Sequence, residues 1–144
     1  MRRLRQNMGV VMSGQGRVLV VDDDEAIRET IRFALEDVGY EVDEAPNGLV
    51  ALRKLHGAHE PSVVLLDLMM PGLDGAGVLG VVAADGELSR RHAYVLVTAS
   101  NKTQTLAFAN LLSSLDVPTL AKPFDVDQLL HLVEAASDRL SQNA

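Results

Sequence analysis

Four short apolar runs in this chain each end at a charged or hydroxyl residue. They are Val18–Val21 before Asp22–Asp24, Val63–Leu66 before Asp67, Tyr94–Val97 before Thr98, and Val117–Ala121 before Lys122. If the runs are buried parallel strands, their carboxyl ends meet at one edge of a sheet, which is where open parallel sheets bind ligands. The sequence therefore predicts that an acidic cluster, a hydroxyl group and an ammonium group share one crevice.

Between the predicted strands, apolar residues recur at helical intervals, and this alternation is typical of a βα repeat. A short additional strand is predicted over Tyr40–Glu44. The predicted helices cover about Glu25–Val38, Asn47 through Leu55, about Gly75–Ala84, about Lys102–Leu115, and the segment after Asp125. The predicted fold class is therefore α/β, a doubly wound five-stranded parallel sheet with helices on both faces.

The last two predicted helices have apolar positions that are expected to face the core. These are Leu106, Leu111, Leu112 and Leu115 in the fourth helix, and Val126, Leu129, Leu130, Val133 and Leu140 in the fifth. We expect Asp125 to cap the fifth helix, because Gln128 follows three residues later as in a capping box.

The composition narrows the classes of function. The 144 residues suit a single domain, and a net charge of -7 disfavours a chain-wide surface for nucleic acid. Cysteine is absent, so disulfides and thiolate chemistry are excluded, and no apolar stretch is long enough to cross a membrane. We expect residues 1–16 to be a flexible N-terminal extension rather than a secretory signal, 17–141 to be the folded domain, and 142–144 to be a tail.

The acidic residues at the predicted strand ends indicate a cation site. Carboxylates of Asp22, Asp23 and Asp67 within a few ångströms would repel one another by about 4 kcal/mol per pair at an effective dielectric constant near 20. Mg²⁺ would neutralise them, because it prefers oxygen ligands and keeps waters that a phosphoryl group can displace. Lys122 would add positive charge, so a strand-end carboxylate is predicted to attack a phosphoryl donor, and the central Asp67 is the expected nucleophile.

Four motifs, in this order, make the chain resemble response-regulator receiver domains. They are Val20–Asp24, Leu65–Gly75, Val97–Ala99 and Ala121–Phe124, and the resemblance extends over about Arg17 to Leu140. It implies a flavodoxin-like sheet with strand order 2-1-3-4-5, and a role in two-component signalling.

The resemblance also implies a role for each site residue. Asp67 would be the phosphoacceptor, and Thr98 and Lys122 would bind the phosphoryl oxygens. The metal ligands would be Asp22, Asp23, Asp67 and the main-chain carbonyl of Met69, with Mg²⁺ as the cofactor and Mn²⁺ as a substitute. Asp24 matches no ligand position in the family, so we expect it to cap the first helix.

The chain departs from the family pattern at several positions. Thr119, next to Pro118, replaces an aromatic residue that usually turns inward when the family threonine binds the phosphoryl group. The interval from Thr98 to Lys122 is two residues longer than is usual. Met69 and Ser100 occupy positions that influence attack of water on the aspartyl phosphate, and the apolar Met69 predicts a long-lived phosphoryl group.

The expected protein is a single-domain regulator in the cytoplasm. It would receive its phosphoryl group from a sensor histidine kinase or a histidine phosphotransfer protein, and signal through altered contacts with an unknown downstream protein. We expect no enzymatic activity beyond its own phosphorylation and dephosphorylation, no direct nucleic-acid binding and no membrane insertion. A homodimer through the fourth and fifth helices is also compatible with the sequence.

Two other classes of function stay open at this point. One is a phosphorylation-independent adaptor with the same fold, which Thr119 favours and the intact set of site residues disfavours. The other is a haloacid-dehalogenase-type phosphohydrolase, which would need an acid two residues after the nucleophile, where Met69 stands. A flavin-binding module is weaker, because the acidic loop would repel the cofactor phosphate.

The histidines and one pair of arginines are expected to play no special part. His56, His59, His92 and His131 have no metal-ligand spacing, and they are expected to be surface or packing residues, with a solvated position compatible with His92 just before the fourth strand. Arg90 and Arg91 are expected to lie in a loop before the fourth strand.

Overall fold

The computed structural model describes residues 16–99 and 105–142, and it contains one five-stranded parallel sheet. The strand order is β2-β1-β3-β4-β5, which confirms the predicted 2-1-3-4-5 arrangement. The strands are β1 Arg17–Val21, β2 Glu41–Ala45, β3 Val63–Asp67, β4 Ala93–Thr98 and β5 Thr119–Ala121. The second strand begins one residue later than the sequence predicted.

Six helices surround the sheet in the described part of the chain. They are α1 Glu25–Asp37, α2 Gly48–Gly57, α3 Gly75–Ala84, α4 Gly86–Arg91, α5 Leu106–Ser114 and α6 Val126–Gln142. Buried residues of α1 and α6 pack on one face of the sheet, and those of α2, α3, α4 and α5 pack on the other. The central strand β3 is buried along its whole length because helices cover both faces. The predicted doubly wound α/β fold is therefore confirmed.

Short polar side chains fix the beginnings of the helices that flank the carboxyl edge of the sheet. Asp24 caps α1, because its Oδ1 accepts hydrogen bonds from the backbone N–H groups of Ala26 and Ile27 at 2.9 and 3.3 Å. Asp125 Oδ1 accepts from the N–H of Asp127 at 3.0 Å where α6 begins. Caps of this kind contribute about 1 kcal/mol each to stability. Both predicted caps are thus confirmed.

Two of the predicted core-facing residues are exposed instead. Leu106 is 78% exposed. It stands at the start of α5, on the side of the helix opposite to the one that packs on the core through Phe108 and Leu112. Val126 is also exposed, in the first turn of α6. Part of the predicted fourth helix, from Lys102, lies outside the described residues.

The segment before β4 also differs from the prediction. Arg90 and Arg91 belong to the short helix α4, which Asp85 caps by accepting hydrogen bonds from the N–H groups of Glu87 and Leu88. His92 is buried rather than solvated, because its Nδ1 accepts a hydrogen bond from the Ser62 N–H at the beginning of β3. The helix α4 was not predicted because its six residues are too few for a helical pattern to be recognised in the sequence.

None of the helices in residues 16–99 and 105–142 is long and apolar enough to cross a membrane. The predicted flexible extension falls, apart from Gly16, outside the described residues, as do Asn143 and Ala144 of the predicted tail. The predicted domain boundaries stay predictions.

Candidate functional site

The sheet brings the predicted site residues to one edge. β1 and β3 are parallel neighbours with Val21 level with Leu66, so Asp22 follows β1 beside Asp67, the last residue of β3. β4 and β5 are also neighbours, and Thr98 pairs with Ala121, the residue before Lys122. The strand-end arrangement that the sequence predicted is therefore present.

Three carboxylates form a cluster at this edge. One oxygen from each of Asp22, Asp23 and Asp67 lies within 4.8 Å of the other two. Asp22 and Asp67 are only 3% and 6% exposed, whereas Asp23 is exposed. The cluster is thus anchored in the protein on one side and open to solvent on the other, where a hard cation would retain waters.

Among the described residues, Lys122 supplies the side-chain positive charge nearest to the cluster. Its Nζ donates a hydrogen bond to Asp22 Oδ2 at 2.9 Å and lies 3.5 Å from Asp67 Oδ1. Its backbone N–H donates to the carbonyl of Thr98 at 2.8 Å, which ties the base of the side chain to β4. One ammonium facing three carboxylates leaves a net negative charge that favours cation binding.

The two charged groups in the centre of the site affect each other's ionisation. Burial raises the pKa of Asp67 and the charge of Asp22 raises it further, while Lys122 and the Met69 N–H only partly offset these effects. Burial lowers the pKa of Lys122, but its hydrogen bond to Asp22 and the charges of Asp67 and Asp22 outweigh this, so its pKa is raised. Lys122 therefore remains protonated at neutral pH.

A close backbone contact holds the loop after β3 in place. The Gly75 N–H donates to the Leu68 carbonyl at 2.9 Å, and a Cβ on Gly75 would lie 2.6 Å from the Asp67 carbonyl oxygen. Asp74 caps α3, because its Oδ1 accepts a hydrogen bond from the Gly77 N–H at 2.9 Å. Only glycine fits at position 75 without displacing the backbone of Asp67.

The remaining predicted site residues line the same edge. Thr98 ends β4 and is buried, while Met69, two residues after Asp67, is 64% exposed. Thr119, in place of the family aromatic, is exposed on β5. Ser100 lies outside the described residues.

A further pair of residues lies beside the cluster and was not predicted from the sequence. Arg28 of α1 donates hydrogen bonds to the main-chain carbonyl of Asp22 and to the carboxylate of Glu44 on β2. The only signal for this contact was the helical position of Arg28 six residues after Asp22, which does not identify a partner on another strand.

Comparison with protein families gives a match over most of the chain. The family model for the response regulator receiver domain matches residues 18–134. A curated relative, response regulator MprA of Mycobacterium sp. strain KMS, is 37% identical over 125 residues, which is 87% of this chain and 52% of the relative. MprA of Mycobacterium ulcerans strain Agy99 is 35% identical over 119 residues, covering 83% and 49%. The chain spans about half the length of these relatives.

Solved structures give the same family. A CheY-like response regulator receiver domain protein from Methanospirillum hungatei JF-1 superposes with a TM-score of 0.77 at 29% identity, covering 89% of this chain and 98% of that one. Response regulator TrrA from Thermotoga maritima, solved in complex with Mg²⁺ and BeF, gives 0.70 at 32% identity, covering 84% and 98%.

Proposed function

This chain belongs to the response regulator receiver domain family, and we propose that it accepts a phosphoryl group on Asp67 in a Mg²⁺-dependent reaction. The family as a whole works with histidine kinases and phosphotransfer proteins, and either a sensor histidine kinase or a histidine phosphotransfer protein is the proposed donor here. The observation that carries the proposal is the clustering of three carboxylates within 4.8 Å, with Lys122 Nζ 3.5 Å from Asp67.

The donor set fits Mg²⁺. Asp22, Asp23 and Asp67 offer hard oxygen ligands, and the main-chain carbonyl of Met69 is proposed to complete them. Mn²⁺ would fit the same ligands. When bound, the cation supplies positive charge that offsets the negative charge of a transferring phosphoryl group.

The chain's own residues supply the rest of the chemistry. A carboxylate oxygen of Asp67 attacks the phosphorus atom of a phosphohistidine, an O–P bond forms, and the P–N bond breaks with its electron pair remaining on the imidazole nitrogen. Lys122 Nζ and the Thr98 hydroxyl donate hydrogen bonds to the phosphoryl oxygens, which stabilises the charge there. The burial of Asp67 limits access of competing water.

The signal is proposed to pass through altered protein contacts. An aspartyl phosphate carries about two negative charges where the carboxylate carried one and adds three acceptor oxygens, and it would draw Lys122 and Thr98 away from their present partners. Thr119 carries no ring that could report this change, so the loops after Asp67 and Thr98 are the proposed moving elements. A downstream protein, or a second copy of the chain, would contact α5 and α6, the fourth and fifth helices of the sequence analysis, where Leu106 and Val126 are exposed.

The wider setting is also part of the proposal. Receiver domains are signalling domains and not classical enzymes, and we propose that this one only phosphorylates and dephosphorylates itself. A cytoplasmic location and a single-domain regulator without direct DNA contact stay predictions, since the curated relatives are about twice as long as this chain.

One alternative function is supported by an observation on β5. An adaptor that works without phosphorylation is favoured by Thr119, which lacks the ring of the family switch. The phosphohydrolase alternative is disfavoured, because the position two residues after Asp67 carries the exposed, apolar Met69 rather than an acid.

The test is phosphorylation by a small donor. The protein is incubated with acetyl phosphate in Mg²⁺ or in EDTA, and its intact mass is measured. We expect a single phosphoryl adduct that requires Mg²⁺ and is absent from Asp67→Asn. The matched control is Asp74→Asn, which changes a nearby carboxylate outside the cluster and keeps a capping side chain. No adduct on the parent from acetyl phosphate or from a phosphorylated kinase would favour the adaptor.

A further inference from the structure

Arg28 lies behind the acidic loop, at the junction of α1 with β2. Its Nη1 donates a hydrogen bond to the main-chain carbonyl of Asp22 at 2.7 Å, and its Nε donates to Glu44 Oε1 at 2.8 Å. The Arg28 side chain is only 13% exposed, so both contacts are largely shielded from water. One planar guanidinium therefore joins the backbone of a cluster residue to a carboxylate on the edge strand.

The backbone and side chain of Asp22 are held at several further points. Its N–H donates to the Ala45 carbonyl at 3.2 Å, and its Oδ1 accepts from the Asp24 N–H at 2.9 Å. Its Oδ2 accepts from Lys122. Because the carbonyl of Asp22 is also the start of the peptide leading to Asp23, the bond from Arg28 constrains the orientation of both carboxylates.

We propose that Arg28, oriented by Glu44, is a positioning residue that sets the affinity of the acidic cluster for Mg²⁺ without contacting the ion or the phosphoryl group. This rests on the proposed function, since it assigns the cluster to a cation. A loop that is already ordered loses less conformational entropy when it binds an ion, and outer contacts of ligating carboxylates commonly tune metal affinity.

Lysine is not expected to replace Arg28. The guanidinium presents a rigid fork of donors that reaches a carbonyl and a carboxylate at the same time, whereas an ammonium on a flexible stem acts as a point charge. Burial raises the pKa of Glu44, but hydrogen bonds from Arg28 and Arg32 more than offset this, so the pKa is lowered and the partner of Arg28 stays ionised at neutral pH.

The same helix offers a matched control. Arg32 lies one turn after Arg28 and also forms an ion pair with Glu44, while its Nε lies 3.0 Å from Glu36 Oε2. Within the described ranges its contacts are with these two acids. Arg32→Gln therefore removes a cation and an ion pair to Glu44 but leaves the bond to Asp22 in place.

The first experiment measures Mg²⁺ affinity by isothermal titration calorimetry on the unphosphorylated chain. We expect Arg28→Gln and Arg28→Lys to bind Mg²⁺ about tenfold more weakly than the parent, and Arg32→Gln to remain within about twofold of it. In Arg28→Lys the phosphorylation rate should require more Mg²⁺ but approach the parental value at saturation. An Arg28→Gln affinity equal to the parent's, or an equal loss in Arg32→Gln, would overturn the proposal.

A second measurement does not depend on the ion. Amide hydrogen exchange of Asp24 in EDTA reports the order of the loop, and we expect it to accelerate in Arg28→Gln and not in Arg32→Gln. If Arg28→Gln does not fold, Glu44→Ala, which keeps Arg28 but removes the acceptor of its Nε–H, gives the corresponding comparison. A parent that accepts no phosphoryl group would refute the proposed function, while the exchange data would still decide whether Arg28 orders the loop.

Discussion

The charge balance of the carboxylate cluster predicts that Asp67→Asn stabilises the protein when Mg²⁺ is removed. At an effective dielectric constant near 20, a like charge 4.8 Å away costs about 3.5 kcal/mol, so Asp22 and Asp23 together cost about 7 kcal/mol before solvent screening. The attraction of Lys122, whose Nζ lies 3.5 Å from Asp67 Oδ1, offsets about 5 kcal/mol of this cost. Asp23 is exposed and its share is screened, but the burial of Asp67 adds a cost of the same sign.

The expected gain in the free energy of unfolding is about 1–2 kcal/mol, measured by urea denaturation in EDTA at neutral pH. The pKa of Asp67 is raised in the folded state, so ionisation destabilises the fold above that pKa. The gain should therefore shrink as the pH falls through the folded pKa, and vanish below the ordinary value of 3.8. Asp74→Asn, outside the cluster, should change stability by less than about 0.5 kcal/mol.

In saturating Mg²⁺ we expect the parent to have a higher free energy of unfolding than Asp67→Asn. Saturation at about one hundred times the dissociation constant would stabilise the parent by about 2.7 kcal/mol, and Asp67→Asn should gain much less because it loses one ligand. A loss of more than about 1 kcal/mol for Asp67→Asn in EDTA would refute the reasoning, because it would mean that the Asp67 charge is held by net favourable interactions.

Three further predictions concern residues around the site and the core. Met69→Asn should shorten the lifetime of the phosphoryl group, measured by loss of the adduct after donor removal, because an amide at this exposed position can orient water. Gly75→Ala should cost about 1–3 kcal/mol, because its Cβ would meet the backbone of Asp67, whereas Gly80→Ala, with open space around it, should be neutral or stabilising in thermal unfolding. Burial lowers the pKa of His92 from 6.5, so the unfolded state binds more protons. Stability should fall with acidification below pH 6.5 by up to about 1.4 kcal/mol per unit, and a flat pH profile in the parent, or the same slope in His92→Gln, would contradict this.

Much of the fold was predictable because its signals are local. The runs ending at Asp67 and Thr98 are buried strands, and parallel strands necessarily bring their carboxyl ends to one edge. The caps Asp24 and Asp125 depend on neighbouring residues only. The clustering of Asp22, Asp23 and Asp67 was predictable from the strand positions alone, because each residue follows or ends a strand at that edge.

The errors have a common physical origin in contacts between distant segments. Leu106 is apolar like Leu111 and Leu112, but the side of α5 that is buried is set by docking on the sheet. His92 is polar, yet a hydrogen bond from Ser62, thirty residues earlier, allows its burial. Arg28 meets Glu44 only because α1 packs beside β2. Composition and periodicity carry no information about such pairings.

The most direct test of the account is the chemical location of the phosphoryl group. The protein is phosphorylated with acetyl phosphate and Mg²⁺, reduced with borodeuteride, digested and sequenced by tandem mass spectrometry, because reduction converts an aspartyl phosphate to deuterated homoserine. The account predicts this product at position 67, and its disappearance when Mg²⁺ is replaced by EDTA. Deuterated homoserine at Asp22, Asp23 or another acid, or none at all in a sample treated with Mg²⁺, would contradict it.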